Sequence, residues 1–297
     1  MKSRLAPAKI NLALHVTGQR HDGYHLLDTL VTFADPAFPA ACDEVRMEVA
    51  DTDSLIISGP EGEGLEAGPD NLVLRAVQAL REHGHDVPPV RMELVKNLPV
   101  ASGIGGGSAD AAAALHLAND LLRKPLHLFD LLDVGLTLGA DVPMCLFGLP
   151  TWAEGIGDDL SLGTKLPAFH MVLVNPRIPV STPTVFRALE SKENRVFWPQ
   201  PIQLEDALVW LQEHTNHLEA PARRLLPVID DVLFALQKTK DVELARMSGS
   251  GATCFGLYPT QGDARRAAES LASEYHHWWI TALRTLPHNP PLPDFAS

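Results

Sequence analysis

LPVASGIGGGSADAAAAL, residues 98–115, decides how the rest of the chain is read. Gly103, Gly105, Gly106 and Gly107 stand within five positions. Lacking Cβ atoms, they let the backbone turn tightly and leave its N–H groups unobstructed. Val90–Val95 upstream has the pattern of a strand, and the Ala-rich run Ser108–Leu122 downstream is strongly helix-forming. A strand, a glycine loop and a helix N-terminus in succession make an anion site. The first amides of a helix lack partners, and its dipole favours negative charge. The plainer alternative is a turn with Ser108 as N-cap. Two familiar phosphate loops do not fit. No Lys stands at the helix start, as a Walker A loop requires, and residue 108 is Ser where a dinucleotide fingerprint has its third Gly. The H-R-D and D-F-G partners of a protein kinase are also missing from the sequence.

The chain has 297 residues, with 24 Lys and Arg against 37 Asp and Glu, a net charge of −13. This length suits one large domain or two medium ones. No apolar run approaches the ~20 residues of a membrane span. Lys9, Asn11 and His15 interrupt the early apolar stretch, so no secretory signal is expected. Cys42, Cys145 and Cys254 are too few and too scattered for a disulfide framework or a CxxC metal site, which points to a reducing cytoplasm. The negative charge argues against nucleic-acid partners. It also means that a bound phosphate needs local donors and a metal ion.

The pattern predicts an α+β protein divided near residue 160, into segments 1–160 and 161–297. Ile10, Leu12, Leu14 and Val16 alternate with polar or small residues, the period of a half-buried strand. Further strands are expected at 27–33, 45–49 and 55–58. An acidic Gly-rich loop follows at 59–70, and then a helix capped by Asp70 and ended by Gly84. A helix over 126–138 stops at Gly139. The second segment predicts strands at 169–174, 242–247, 253–258 and 278–283. Its helices are expected at 182–189, 205–214, 228–238 and 263–275, with a polar insertion at 191–203 and a Pro-rich tail at 287–297.

PAKINLALHV (7–16), the glycine stretch (98–115) and MSGSGATCFGLY (247–258) resemble, in order and spacing, the three motifs of the GHMP kinases. The likeness covers residues 7–285. GQRHDGYH (18–25), DNLV (70–73) and LGADVPMCLFG (138–148) resemble the branch of that family whose substrate is a cytidine-diphosphate-linked methylerythritol. The family's loop has Leu and a second Ser where this chain has Ile104 and Ala109, which leaves Ser108 as the hydroxyl contact. The resemblance implies a two-domain GHMP kinase fold, with an N-terminal ATP-binding domain and a smaller, sandwich-like C-terminal domain. It implies transfer of the ATP γ-phosphate to the 2-hydroxyl of 4-diphosphocytidyl-2-C-methyl-D-erythritol in non-mevalonate isoprenoid biosynthesis. Mg²⁺ neutralises ATP, with no protein metal ligand assigned. The enzyme is expected to act as a monomer or weak homodimer, without nucleic-acid or membrane partners. The alternatives are a GHMP kinase of the homoserine or mevalonate type, or a nucleotide-binding protein without catalysis.

The same resemblance assigns roles. Asp141 matches the catalytic base, although by its position it is equally a good N-cap before Pro143. Lys9 matches the cation that offsets charge in the transition state, and Asn11 orients the substrate. Tyr24 and His25 belong to a cytosine pocket, with His25 at the base edge and Phe186, near Thr182, as the second stacking face. Pro99, Val100, Ala101, Ser102, Gly103, Ile104, Gly105, Gly106, Gly107, Ser108 and Ala109 form the ATP loop. Asn71 and Lys96 are weaker candidates for the adenosine side. For Asn71 the alternative is a helix N1 position, and for Lys96 a solvated strand end. His214 and His217, at i, i+3, lack a third metal ligand and are read as a solvated helix face.

Overall fold

The computed structural model describes residues 1–161, 166–197 and 207–287. The chain begins with β1 (Lys2–Pro7), β2 (Lys9–Gln19), β3 (His25–Phe33), β4 (Cys42–Val49), β5 (Ser54–Ser58), α1 (Leu72–Glu82) and β6 (Val90–Val95). It continues with α2 (Gly106–Asn119), α3 (Leu128–Leu138), α4 (Val142–Phe147), β7 (Thr151–Gly155) and β8 (Asp159–Ser161). Then come β9 (His170–Asn175), α5 (Thr182–Arg187), α6 (Ala207–Glu213), α7 (Glu219–Leu225) and α8 (Val228–Lys238). The last elements are β10 (Leu244–Met247), β11 (Cys254–Tyr258), α9 (Gln261–Glu274) and β12 (Trp279–Arg284). Three four-stranded sheets result, in the orders β1-β4-β6-β5, β2-β3-β7-β8 and β10-β11-β9-β12. The third uses only strands after residue 169, and all its pairs are antiparallel.

Helix α1 buries Val73, Ala76, Val77 and Leu80, the i, i+3, i+4, i+7 stripe of an amphipathic helix. Helix α2 is buried on nearly every side, and its run of Ala lets β1, β4, α1 and α4 all pack close to it. Strand β2 departs from the half-buried expectation, because Lys9 to Leu14 are all buried. The reason is tertiary. Ile10, Leu12 and Leu30 share one apolar core with Met171, Leu173, Phe255 and Leu257. Further along β2, Leu14 donates its N–H to the Thr215 carbonyl (3.0 Å). One apolar core therefore runs across the expected division near residue 160.

Several local expectations are corrected. The cap of α1 is Asn71, not Asp70: Asn71 Oδ1 accepts from the Val73 N–H at 3.0 Å. Helix α2 starts at Gly106, two residues before Ser108. Strands β1, β7 and β8 and helix α7 carry too few apolar residues in period to announce themselves. His214 and His217 do not form a solvated helix face, since α6 ends at Glu213. The His214 ring stacks on Trp210 at 3.8 Å and the His217 ring on His15 at 4.1 Å. The first part of the expected 205–214 helix, the end of the 191–203 insertion and the tail from 288 lie outside the described residues.

Two features yield measurable stability effects. Lys96 is buried, not a solvated strand end, and its ammonium lies between Asp43 and Asp110 (2.7 Å to Asp110 Oδ2). Burial alone would lower the Lys96 pKa, but the two carboxylates outweigh it and raise it. Lys96→Met strands both acids, so urea unfolding should show a loss of about 3–5 kcal/mol. A loss under about 1 kcal/mol would show that the acids do not depend on the ammonium.

His116 is held neutral by burial, with its pKa lowered to about 4. The folded value lies below the unfolded one, so its contribution is complete above about pH 6.5 and is lost as pH falls toward 4. Wild type should therefore lose roughly 2–3 kcal/mol relative to His116→Gln across that window. Parallel pH profiles of unfolding for the two proteins would contradict this.

Candidate active site

The glycine loop is held at both ends. Asp43 Oδ1 accepts from the N–H groups of Asn97 (2.6 Å) and Leu98 (2.8 Å), fixing the chain as it leaves β6. Its other oxygen meets Lys96, which also pairs with Asp110 in the first turns of α2. Burial pushes the Asp110 carboxyl up, with Lys96 opposing and Asp43 adding to the rise. Between these anchors, Ser102 Oγ donates to the Pro99 carbonyl at 2.6 Å. Ala101, Gly103 and Gly105 take left-handed φ values of 48°, 75° and 63°. The N-cap of α2 is Gly105, which has no side chain to satisfy the first helical amides. Those N–H groups remain available to an anion.

Two glycine loops meet here. A Cβ on Gly103 would lie 2.5 Å from the Ser248 carbonyl oxygen and 2.6 Å from the Gly251 nitrogen. Thr253 N donates to the Ser102 carbonyl (3.0 Å), and Ser248 Oγ donates to the Gly103 carbonyl (3.1 Å). The 248–253 turn thus joins β10 to β11, as a glycine hairpin does, and also braces the loop. Strand β2 supports the other flank, where Lys9 N donates to the Ile104 carbonyl at 2.9 Å.

Lys9 Nζ is 2.9 Å from Asp141 Oδ2. The Lys9 side chain is buried, whereas that of Asp141 is 44% exposed. Asp141 occupies the N-cap position of α4 yet makes no side-chain capping bond. Its carboxylate serves the lysine and the open site instead. Asn11 Nδ2 donates to Thr29 Oγ1 (2.8 Å), and that hydroxyl donates onward to the Ala13 carbonyl. This chain fixes the amide so that Asn11 Oδ1 is left as an acceptor without a partner.

Two cavities share this centre. One, of about 430 Å³, is lined by Lys9, Asn11, Asn71, Lys96, Asp141 and the loop from Pro99 to Gly107, with Leu65, Leu72 and Leu94 among its apolar walls. The other, of about 620 Å³, is lined by Tyr24, His25, Gly139, Arg187 and Lys192. Leu27, Ser108, Asp141, Thr182 and Phe186 line both. The expected ATP set divides by geometry. Ile104 is fully buried and contributes its carbonyl, and Ala109 faces a different cavity behind α2 with Arg4 and His116. Asn71 and Lys96 do line the first cavity, but Asn71 caps α1 and the Lys96 ammonium already has two carboxylate partners.

In the second cavity the Phe186 ring stacks on His25 at 4.7 Å, so the two expected base contacts also touch each other. Tyr24 is largely exposed at the same wall. His25 Nε2 is buried without a partner. Burial, helped by the Lys192 charge, lowers the His25 pKa, so the ring is neutral near pH 7. Thr182 Oγ1 lies 2.7 Å from Ser250 Oγ, tying α5 to the 248–253 turn. Asp43, Thr29, Arg187 and Lys192 escape sequence reasoning, because each gains its role from a partner or cavity remote in the chain. Asp110 lies within the glycine motif, but its pairing with Lys96 does not show there.

The arrangement places an anion cradle, a Lys–Asp pair and an aromatic pocket around one point, as transfer of a phosphoryl group to an alcohol requires. Models of the GHMP kinases N terminal domain and of the GHMP kinases C terminal domain match residues 71–149 and 200–277. The chain is 48% identical to the 4-diphosphocytidyl-2-C-methyl-D-erythritol kinase of Brucella melitensis over 96% of its own length and 95% of that protein's. A crystal structure of 4-(cytidine 5'-diphospho)-2C-methyl-D-erythritol kinase superposes with a TM-score of 0.76 at 34% identity, covering 96% of this chain and 99% of that one. The homoserine kinase from Cytophaga hutchinsonii shares the fold alone, at 19% identity and a TM-score of 0.63, covering 96% of this chain and 94% of that one. Matched in both halves and similar at this level over nearly its whole length, the chain belongs to the GHMP kinase family.

Proposed function

We propose that this kinase transfers the γ-phosphoryl group of ATP to the 2-hydroxyl of 4-diphosphocytidyl-2-C-methyl-D-erythritol, the alcohol in its relatives' names. One observation carries the reading: the Lys9–Asp141 pair stands where the glycine-loop cavity opens into the His25–Phe186 cavity. In this scheme the triphosphate lies along residues 99–107, and its oxygens accept from the first amides of α2. The apolar walls at Leu65, Leu72 and Leu94 suit the adenine. The cytidine lies in the larger cavity, where Tyr24 and Phe186 offer aromatic faces. A neutral His25 meets the base edge with the ring nitrogen that has no protein partner.

The acceptor hydroxyl then sits beside Asp141, which takes its proton as the oxygen attacks phosphorus. Lys9, 2.9 Å from that carboxylate, offsets the negative charge that gathers on the transferring group. Asn11 Oδ1, without a protein partner, accepts a hydrogen bond from another hydroxyl of the acceptor and so orients it. Mg²⁺ completes charge neutralisation when bound. Among the described residues no three His, Cys, Asp or Glu side chains converge as a metal site. The ion would be held largely by phosphate oxygens and water, and Ser108, Asp141 and Thr182 are the oxygen-bearing side chains that line both cavities.

Action as a monomer or weak homodimer is part of the same proposal. The three cysteines are free thiols, which supports a reducing, cytoplasmic setting. No helix among the described residues is long and apolar enough to cross a membrane.

The base assignment is tested by Asp141→Asn. Turnover should fall roughly 10²–10⁴-fold, while ATP affinity by calorimetry stays near wild type because the amide is isosteric. A folded Asn variant with normal turnover would remove Asp141 from the chemistry. The pocket assignment is tested by competing the CDP and UDP forms of the substrate. Wild type should prefer the CDP form, and His25→Ala should erode that preference roughly 5–100-fold, the worth of one buried polar contact. Equal use of both forms by wild type, or faster phosphorylation of homoserine or mevalonate, would reduce the reading to a GHMP kinase of other specificity.

A further inference from the structure

Residues 191–197 run beside β2 as an irregular strap outside every sheet. Asn194 Nδ2 donates to the Val16 carbonyl at 2.8 Å, and the His15 ring Nδ1 lies 3.1 Å from the Arg195 carbonyl oxygen. Phe197 N donates to Asp28 Oδ2 at 2.7 Å. The Phe197 ring lies 4.0 Å from that of His15 and meets Trp152 edge-on at 5.0 Å. His15 and Asp28 are direct cross-strand partners on β2 and β3, so one pair of residues grips the end of the strap from both strands.

Asp28 is an expensive choice for a core position. Its carboxyl is almost wholly buried, and Oδ1 has no hydrogen-bond partner. Burial pushes its pKa up to about 6. A buried carboxyl costs free energy unless its hydrogen bonds return it. Among the described residues the one backbone group its carboxyl accepts from is the Phe197 amide, and the Trp152 indole also favours its ionised form.

At its other end the strap carries Lys192. The Lys192 Nζ donates to Gln19 Oε1 at 3.0 Å, and Gln19 Nε2 donates to the Gly23 carbonyl, in the turn that presents Tyr24 and His25. Among the described residues no carboxylate lies within ion-pair distance of Lys192 or Arg187, and both line the larger cavity. The acids lining that cavity are already paired, Asp22 with Arg20 at 2.7 Å and Asp141 with Lys9 at 2.9 Å. In a protein of charge −13, two cations without acidic partners at one wall suit an anionic ligand.

We propose that Lys192 contacts the diphosphate of the acceptor substrate, and that Asp28 is a positioning residue that holds Lys192 there through the Phe197 amide and the 191–197 strap. This inference rests on the substrate reading given above. It adds a specificity residue carried on the strap and a buried acid that acts through it.

Steady-state kinetics with ATP and 4-diphosphocytidyl-2-C-methyl-D-erythritol test both parts. Lys192→Met should raise the KM for the diphosphate substrate roughly 5–20-fold, leave the KM for ATP and kcat near wild type, and flatten the salt dependence of that KM. Asp28→Ala should raise the same KM to a similar extent. Asp28→Asn, whose amide oxygen can still accept from Phe197, should restore it. The double variant Asp28→Ala/Lys192→Met should be no worse than Lys192→Met alone, because both act on one contact.

An unchanged KM in Lys192→Met overturns the inference, and since that side chain is exposed this arm does not depend on a fragile variant. Additive effects in the double variant, or an equal rise in the KM for ATP, overturn the role of Asp28. If Asp28→Ala does not fold, the Asn variant decides: a KM as high as that of Lys192→Met overturns the role of the Asp28 oxygen. A wild-type enzyme that does not phosphorylate this substrate overturns the substrate reading itself, and the inference with it.

Discussion

The site depends on a close approach between two backbones. The glycine loop after β6 and the turn between β10 and β11 touch where Gly103 faces Ser248 and Gly251, at separations that leave no room for a Cβ. The contact joins the two halves of the chain at the point where the triphosphate is read to lie. A side chain on Gly103 would have to push the turn away, and with it Ser248, whose hydroxyl accepts from the Asn11 amide and donates to the Gly103 carbonyl. The glycine density of both motifs thus follows from one steric requirement as well as from the need to expose amides.

Around that contact, charge is arranged economically. A protein of net charge −13 that binds polyanions needs positive potential at short range. It uses helix amides, which carry partial positive charge without a counter-ion, and a buried lysine for each task. Lys96 faces two carboxylates and stiffens the base of the loop. Lys9 faces one carboxylate that remains open to the site. The same residue type serves support in one place and, in the proposed reaction, chemistry in the other. The difference lies in the exposure of the partner acid, since an enclosed carboxylate cannot receive a substrate proton.

The larger cavity follows a different logic. Its aromatic and histidine side chains come from the 20–25 turn and from α5, which lie more than 150 residues apart. The first wall is the β2–β3 hairpin, where Gln19 pairs with His25 and Arg20 N donates to the Tyr24 carbonyl at 2.7 Å. Side-chain ties then link the walls to their surroundings: Gln19 to Gly23, Lys192 to Gln19, and Thr182 to Ser250. Such ties position groups with less rigidity than a sheet.

The sequence by itself determined the features that rest on local backbone chemistry. A glycine loop entering a helix shows in consecutive residues because tight turns and free amides require them there. The alternation along β2 is legible for the same reason, whereas the kinase motifs are legible by their resemblance to a family. The family resemblance alone brought Lys9 to Asp141, and the tertiary structure alone decided that Lys96 meets Asp43 and Asp110. Asp43 lies 53 residues from Lys96, and Asp141 lies 132 from Lys9. It also decided that Asn71 rather than Asp70 caps α1, that Asp141 does not cap α4, and that His214 and His217 pack among aromatic rings. Burial and pairing across such separations are properties of packing. They depend on which surfaces meet when the two halves close on a shared core, and no window of neighbouring residues encodes that.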